Sequence, residues 1–237
     1  MKKIIKLAIC MCLMLVSLYL IYNHYEDYNR DTDDLISNND DDFELINKLK
    51  TKYDNNEIVM YLKIPGLLSV PVVQTENNSF YQTHDLYREE SNKGTPYLDY
   101  RNKSLSDRKL IVYGHNKMNM TLIFSKLLDY QNKNFYDDHK EIEITTDYSK
   151  RTYKIFSVFT EKEDFDYLDL NGFPGMEYYE HLLKLKDKSI YDTEVSIEEN
   201  SKTIVLQTCA LENGCDNIAE YLVIIAREVK DENNNQK

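Results

Sequence analysis

The spacing of hydrophobic residues changes near residue 57, and the change separates two kinds of sequence. The segment 41–53 carries apolar residues at helical spacing, namely Phe43, Ile46 and Leu49. After Glu57, short runs rich in Val, Ile, Leu and Tyr are separated by turn residues such as Pro65-Gly66. We therefore predict a leading helix that is followed by a β-rich domain.

Eight of the later runs are typical of strands. They are residues 57–64, 69–75, 95–100, 108–116, 141–146, 151–161, 202–209 and 220–229. Two stretches, 121–130 and 175–188, have their apolar residues in helical order instead. A doubly wound parallel sheet needs a helix between most strands, and these are missing. The pattern predicts a mostly β, mostly antiparallel barrel of about eight strands with helical insertions.

The first residues predict a membrane anchor. Three lysines (Lys2, Lys3, Lys6) precede a stretch without charge from Leu7 to Asn23, and Glu26 and Asp27 follow it. About 20 apolar residues span a bilayer as a helix. Positive-inside logic places the N-terminus in the cytoplasm and the remaining chain outside. We predict a single-pass anchor at residues 1–22; a cleaved signal peptide is the alternative, although no A-x-A-like site follows the apolar run.

The other regions follow from composition. Residues 23–56 are predicted to be a polar, acidic spacer with the leading helix, residues 57–230 the β-barrel domain, and residues 231–237 a disordered tail. The net charge is −12. Nucleic-acid binding requires a basic surface, so this class of function is excluded.

Cys209 ends a β-type run at the point where the chain becomes polar, and three interpretations of it are open. Cys10 and Cys12 lie in the predicted anchor, which leaves Cys209 and Cys215 outside it. Extracellular proteins use cysteine in pairs, so a disulfide between Cys209 and Cys215 is one interpretation. A nucleophile is the second, because a rigid strand end fixes the sulfur beside open solvent. A buried small residue is the third.

His115 also ends an apolar run, "LIVYGHN" at 110–116. Residues at two strand ends can meet across a barrel face, and a catalytic cysteine needs a nearby base or positive charge. The simpler interpretation is a turn residue. No C-x-x-C, H-E-x-x-H or phosphate-binding glycine loop occurs, so we expect neither a metal nor a cofactor.

Three sequence stretches resemble one enzyme family. "LQTC" at 206–209, followed by a hydrophobic strand, resembles the T-L-x-T-C signature of sortases, and "LIVYGHN" resembles their catalytic-histidine strand. "GTPYLDYRNK" at 94–103 resembles class B sortases in particular. The resemblance covers about residues 57–230.

The resemblance implies a closed β-barrel and a cysteine transpeptidase without cofactor. Cys209 would attack a threonine carbonyl in the sorting signal of a secreted protein and form a thioester. An amine of a peptidoglycan precursor or cross-bridge would then resolve the thioester. His115 would act as general acid and then as general base. The implied partners are the secreted protein, the wall amine and, through the N-terminal helix, the membrane.

One family residue is missing, because sortases carry an arginine just before the last strand and Tyr221 stands at this position. Tyr221 and Thr208 are the candidates for supporting the substrate or the oxyanion. Arg227 lies six residues further on, roughly 20 Å along a strand. Arg88 and Arg101 are alternative donors.

Two other functions are compatible with the missing arginine and with the disulfide interpretation of Cys209. The first is a catalytically weak or inactive sortase-like protein that binds its partners on the cell surface. The second is a surface adhesin stapled by a disulfide between Cys209 and Cys215.

Overall fold

The structure is a computed structural model that describes residues 11–17, 19, 44–116, 123–170, 175–210 and 220–229. The chain divides into two compact units, Met1–Asp41 and Asp42–Lys237. In the first unit, residues 11–17 are helical. None of the helices within the described residues has the length and apolar character that a bilayer crossing requires. Most of the predicted anchor and spacer, and the whole of the predicted tail 231–237, lie outside the described residues.

Eight strands of the second unit form a closed barrel, as the sequence predicts. They are β1 (Ile58–Ile64), β2 (Leu68–Val73), β3 (Tyr97–Leu98), β4 (Lys109–Tyr113), β5 (Glu141–Thr145), β6 (Lys150–Glu161), β7 (Thr203–Cys209) and β8 (Tyr221–Val229). Around the barrel the order is β1-β2-β3-β4-β7-β8-β6-β5, and pairing of β1 with β5 closes it. Closure leaves no unpaired edge on these strands.

Six of the eight strand contacts are antiparallel, and two are parallel: β2 with β3, and β4 with β7. The parallel contact between β4 and β7 matters most for function. Parallel neighbours point their carboxyl ends at the same edge of the sheet. The segments that follow β4 and β7 therefore leave the barrel side by side.

The helices lie before and between the strands. They are α1 (Leu45–Tyr53), α2 (Lys133–Asp138) and α3 (Met176–Asp187), with 3₁₀ segments at Phe80–Gln82, Ile123–Gln131 and Asp166–Leu168. The leading helix and the helix predicted over 175–188 are present as α1 and α3. The stretch predicted to be helical at 121–130 forms a 3₁₀ segment over its described part, and the sequence analysis did not predict α2.

Strand alternation separates two hydrophobic cores. In β4, Leu110 and Val112 lie inside the barrel, whereas Ile111 belongs to a second core on the outer face. That second core is covered by the connection between β6 and β7, which includes α3 and the buried Tyr167. A layer of chain is thus packed over β4, β7 and β8 beside the ends of β4 and β7.

Candidate active site

Strand register brings the segments that carry His115 and Cys209 to one edge of the barrel. Tyr113, near the end of β4, is the register partner of Gln207 in β7, and the amide of Gly114 donates to the carbonyl of Gln207 at 3.1 Å. His115 comes two residues after Tyr113, and Cys209 two residues after Gln207. Residues at one level on neighbouring strands lie about 5 Å apart. The two predicted catalytic residues therefore leave the sheet at the same level.

A hydrogen bond ties the two segments together beyond the last strand pair. The side-chain amide of Asn116 donates to the backbone carbonyl of Cys209 at 3.0 Å. Asn116 is only 4% exposed, so water competes little for this bond. The bond holds the neighbour of His115 directly against the backbone of Cys209.

The imidazole of His115 is half-buried and oriented by the backbone of a distant loop. Its Nε2 lies 2.7 Å from the carbonyl oxygen of Gln82, and a carbonyl can only accept. Nε2 therefore carries a proton, which leaves Nδ1 of the neutral ring as the atom that can exchange a proton with a substrate. No sequence pattern marks Gln82, which is 33 residues away from His115 in the chain.

Two glycines allow the backbone to approach this site closely. A Cβ atom built on Gly94, which has φ +63°, would lie 2.8 Å from Cδ2 of His115 and 2.7–2.8 Å from the carbonyls of residues 81 and 82. A Cβ on Gly114 would overlap the ring of Phe124. Both positions admit only glycine without displacement of the site. Gly94 was not singled out from the sequence, although it opens the stretch "GTPYLDY".

Tyr221 lies directly opposite Cys209, as its register partner in β8. It packs on the outer core, and its ring meets that of Phe165 at a centroid distance of 5.9 Å. Strand alternation puts Thr208 on the face opposite Cys209, where it is 2% exposed. Within the described residues its hydroxyl has no hydrogen-bond partner. Of the two predicted supporting residues, only Tyr221 shares the face of Cys209.

The three arginines considered as substitutes bind elsewhere. Arg227 is the register partner of Thr203, which begins β7 at the end away from Cys209. Its Nη1 lies 3.6 Å from a carboxylate oxygen of Glu198. Arg88 forms an ion pair with Glu57 at 2.7 Å. Arg101 binds Asp99 through Nε and Nη2, and its Nη2 also donates to the carbonyl of residue 168 at 3.1 Å.

Asp99 links Arg101 to the strand that leads to His115. Its carboxylate is fully buried and accepts a 2.6 Å hydrogen bond from the hydroxyl of Tyr113. Burial alone would raise the pKa of Asp99, but hydrogen bonds from Arg101 and Tyr113 outweigh it and hold this pKa below its ordinary value. The carboxylate is thus ionised at neutral pH and fixes Tyr113 beside the site.

Cys209 itself is disulfide-bonded, and its partner lies outside the described residues. Cys12 is free and exposed, whereas Cys215 falls within 211–219, which the structure does not describe. A sulfur in a disulfide cannot act as a thiolate nucleophile. Chemistry at Cys209 therefore requires prior reduction of this bond.

Comparison with known proteins identifies the fold and the family. Residues 62–229 match the model of the sortase domain. The chain belongs to the sortase family. Sortase B of Staphylococcus aureus is 29% identical over 178 residues, which are 74% of this chain and 72% of that protein.

Solved structures agree. The S. aureus sortase B–substrate complex superimposes with a TM-score of 0.78 at 26% identity, over 90% of this chain and 97% of that one. A sortase B complexed with triglycine gives a TM-score of 0.78 at 27% identity, over 90% and 98% of the two chains. These similarities place the chain among class B sortases, which are cysteine transpeptidases, and confirm the predicted family.

The candidate active site does not coincide with the large surface cavity of this sortase. A surface cavity of about 620 Å³ lies elsewhere and is lined by ten residues, among them Glu57, Gln74, Arg88 and Lys103. Neither His115 nor Cys209 lines it.

Proposed function

We propose that the reduced sortase cleaves a sorting signal in secreted proteins and transfers the protein to a peptidoglycan amine. The observation that carries this proposal is the common edge of β4 and β7, where Asn116 binds the carbonyl of Cys209. The relatives were solved as a substrate complex and with triglycine, which supports a peptide donor and an amine acceptor.

The reaction has two steps after a dithiol has reduced the disulfide to two thiols. Before attack, the thiol of Cys209 gives its proton to Nδ1 of His115, which leaves a thiolate beside an imidazolium. The thiolate attacks the threonine carbonyl, the peptide C–N bond breaks, and the imidazolium of His115 gives that proton to the leaving amine. The acceptor amine then attacks the thioester, His115 takes its proton, and the thiolate leaves. Because Nε2 is bound to Gln82, Nδ1 of His115 is the atom that we assign to these proton transfers.

A peptide library tests this function. The reduced full-length chain is incubated with sorting-type peptides, with and without triglycine, and mass spectrometry measures adducts on Cys209. We expect an acyl adduct on Cys209 that triglycine converts into a ligated peptide. The Cys209→Ala variant is the control and should give neither product. Absence of an adduct in the reduced parent with every peptide would overturn the proposal.

The second candidate is a binding protein without turnover. Two observations favour it: Tyr221 replaces the family arginine, and Cys209 is bonded to another sulfur. This candidate predicts that peptides bind to the reduced chain with equal affinity in the parent and in Cys209→Ala, and that no adduct appears.

We also propose that residues 1–22 anchor the enzyme with its N-terminus in the cytoplasm. The support is the order of charges, with lysines before the apolar run and Glu26 and Asp27 after it. A protease added to intact cells should remove residues 44–229 and leave the N-terminus protected. Release of the whole chain by an alkaline wash would contradict the anchor.

A further inference from the structure

A buried lysine lies under the layer of chain that covers the outer face of the barrel. Lys109 begins β4 and is 3% exposed. Its ammonium approaches three acceptors: the carbonyls of Tyr167 at 3.2 Å and Asp169 at 2.8 Å, and Nε2 of His181 at 3.2 Å. An ammonium has three hydrogens to donate, so these partners satisfy it completely.

His181 of α3 completes the arrangement. Because its Nε2 accepts from Lys109, the neutral ring carries its proton on Nδ1, which lies 3.9 Å from a carboxylate oxygen of Asp166. Burial, and then the charge of Lys109, lower the pKa of His181 to about 4. The ring is therefore neutral at physiological pH and available to Lys109 as an acceptor.

The segment that Lys109 holds, residues 165–169, is also the wall of the candidate active site. The ring of Phe165 contacts Tyr221, the register partner of Cys209. The hydroxyl of Tyr167 donates to the side-chain oxygen of Gln207 at 3.0 Å, two residues before Cys209. One end of this wall segment therefore contacts the register partner of Cys209, while Lys109 binds the backbone of its other end.

Holding a surface segment with a buried ammonium group carries an unfavourable desolvation free energy. Removing a charge from water is unfavourable, and apolar residues of similar volume often serve stability equally well. The lysine fixes the position of this segment, because it binds the backbone at two nearby points, the carbonyls of Tyr167 and Asp169. This suits a wall that must keep one position while a peptide binds beside it.

We propose that Lys109 is a positioning residue for the transfer reaction, which sets the wall segment 165–169 against β4 and β7 so that a bound peptide meets Cys209 in one geometry. The inference rests on the proposed function. Lys109 acts through the carbonyls of Tyr167 and Asp169 and does not touch the reacting atoms.

The test compares Lys109→Met with a matched lysine. Lys186 donates to the carbonyl of Val195 at 2.8 Å in the same connection but does not contact the wall segment, so Lys186→Met is the control. We expect Lys109→Met to raise KM about tenfold with kcat changed by less than about threefold, since the loss is of substrate positioning. Lys186→Met should leave both parameters at the parent values.

Hydrogen exchange supplies a readout that does not depend on turnover. The amides of residues 168 and 169 donate to the carbonyls of Phe165 and Asp166 at 2.9 and 3.0 Å. Their exchange should become faster in Lys109→Met and remain unchanged in Lys186→Met. Faster exchange in Lys109→Met without a change in KM would show that Lys109 has only a structural role, and would overturn the inference. Exchange rates and a KM equal to those of the parent would overturn it as well.

A second pair of variants covers the case in which Lys109→Met does not fold. His181→Gln replaces the Nε2 acceptor of Lys109 by an amide oxygen, whereas His181→Leu leaves no acceptor at this position. We expect KM to rise in His181→Leu and to be largely restored in His181→Gln; equal values in the two variants would contradict the inference.

Failure of the proposed function remains distinguishable. If even the reduced parent forms no product, peptide affinity is measured in the Cys209→Ala background. Weaker binding with Lys109→Met then supports the inference, and equal binding overturns it.

Discussion

Cys209 and Tyr221 face each other as register partners at the ends of β7 and β8. The resemblance to sortases predicts an arginine at the position of Tyr221, and Arg88, Arg101 and Arg227 are each held by a carboxylate partner. The phenol hydroxyl is therefore the donor that this position offers to a developing oxyanion.

Removal of that hydroxyl should slow the reaction. Loss of one oxyanion donor typically costs a few kcal/mol, so Tyr221→Phe is expected to lower kcat/KM about 10- to 100-fold. Tyr221→Arg, which restores the family donor, should retain or exceed the parent value. Steady-state kinetics with the best peptide measures both, and Tyr148→Phe, an exposed tyrosine in the turn between β5 and β6, is the control. Parent activity in Tyr221→Phe would exclude a role for the hydroxyl.

Reductant should switch the enzyme on. Because Cys209 is disulfide-bonded, the chain isolated without reductant is expected to be inactive and to gain activity with a dithiol. Replacing Cys215 by Ser should make activity independent of reductant if residue 215 is the partner. Alkylation and mass spectrometry before and after reduction identify the paired cysteines. Rapid labelling of Cys209 in the unreduced chain would refute this prediction.

Gly94 should not tolerate a methyl group. The Cβ of Gly94→Ala would press on the ring of His115 and on two backbone carbonyls, so kcat/KM should fall at least about tenfold, as expected for a displaced catalytic base. Gly66→Ala is the matched control, because Gly66 also has positive φ (+75°) but its Cβ would meet its nearest neighbour at 3.8 Å. Both variants bear the same kind of backbone strain. An equal loss of activity in the two would show that strain, and not contact with His115, is responsible.

The stability of the fold should depend on the titration of His181. Its pKa is about 4 in the folded chain and about 6.5 when unfolded, so the unfolded state binds the extra proton first as the pH falls. The contribution of neutral His181 to the free energy of unfolding is complete above pH 6.5. As the pH falls towards 4, this free energy decreases by on the order of 2–3 kcal/mol. Urea unfolding of the parent and of His181→Leu at several pH values measures the difference. A parallel decline in the two proteins would contradict this assignment.

The strands could be predicted because each is a local pattern. Runs such as 202–209 and 220–229 are apolar, β-branched and bounded by polar residues, and they became β7 and β8. The six-residue α2 was missed, since its main local signal is a single cap, the side chain of Asn132 accepting from the amide of Asn134.

The site was only partly readable for a different reason. Cys209 and His115 end apolar runs, so the sequence marks them, and their catalytic roles stay predictions. Gln82 acts on His115 through a backbone carbonyl, which any residue type provides. In the sequence, Lys109 looks like an ordinary charged residue at the start of a strand. It is buried because the connection between β6 and β7 packs over it, and no local pattern predicts this packing.

The parallel contact of β4 and β7 has a consequence for how the enzyme is made. The strand before His115 is translated about ninety residues earlier than the strand that ends in Cys209, and β4 and β7 must pair across this separation. Contacts so distant in sequence form late in folding. A nascent chain in which β7 has not yet paired with β4 therefore lacks the common barrel edge that carries His115 and Cys209.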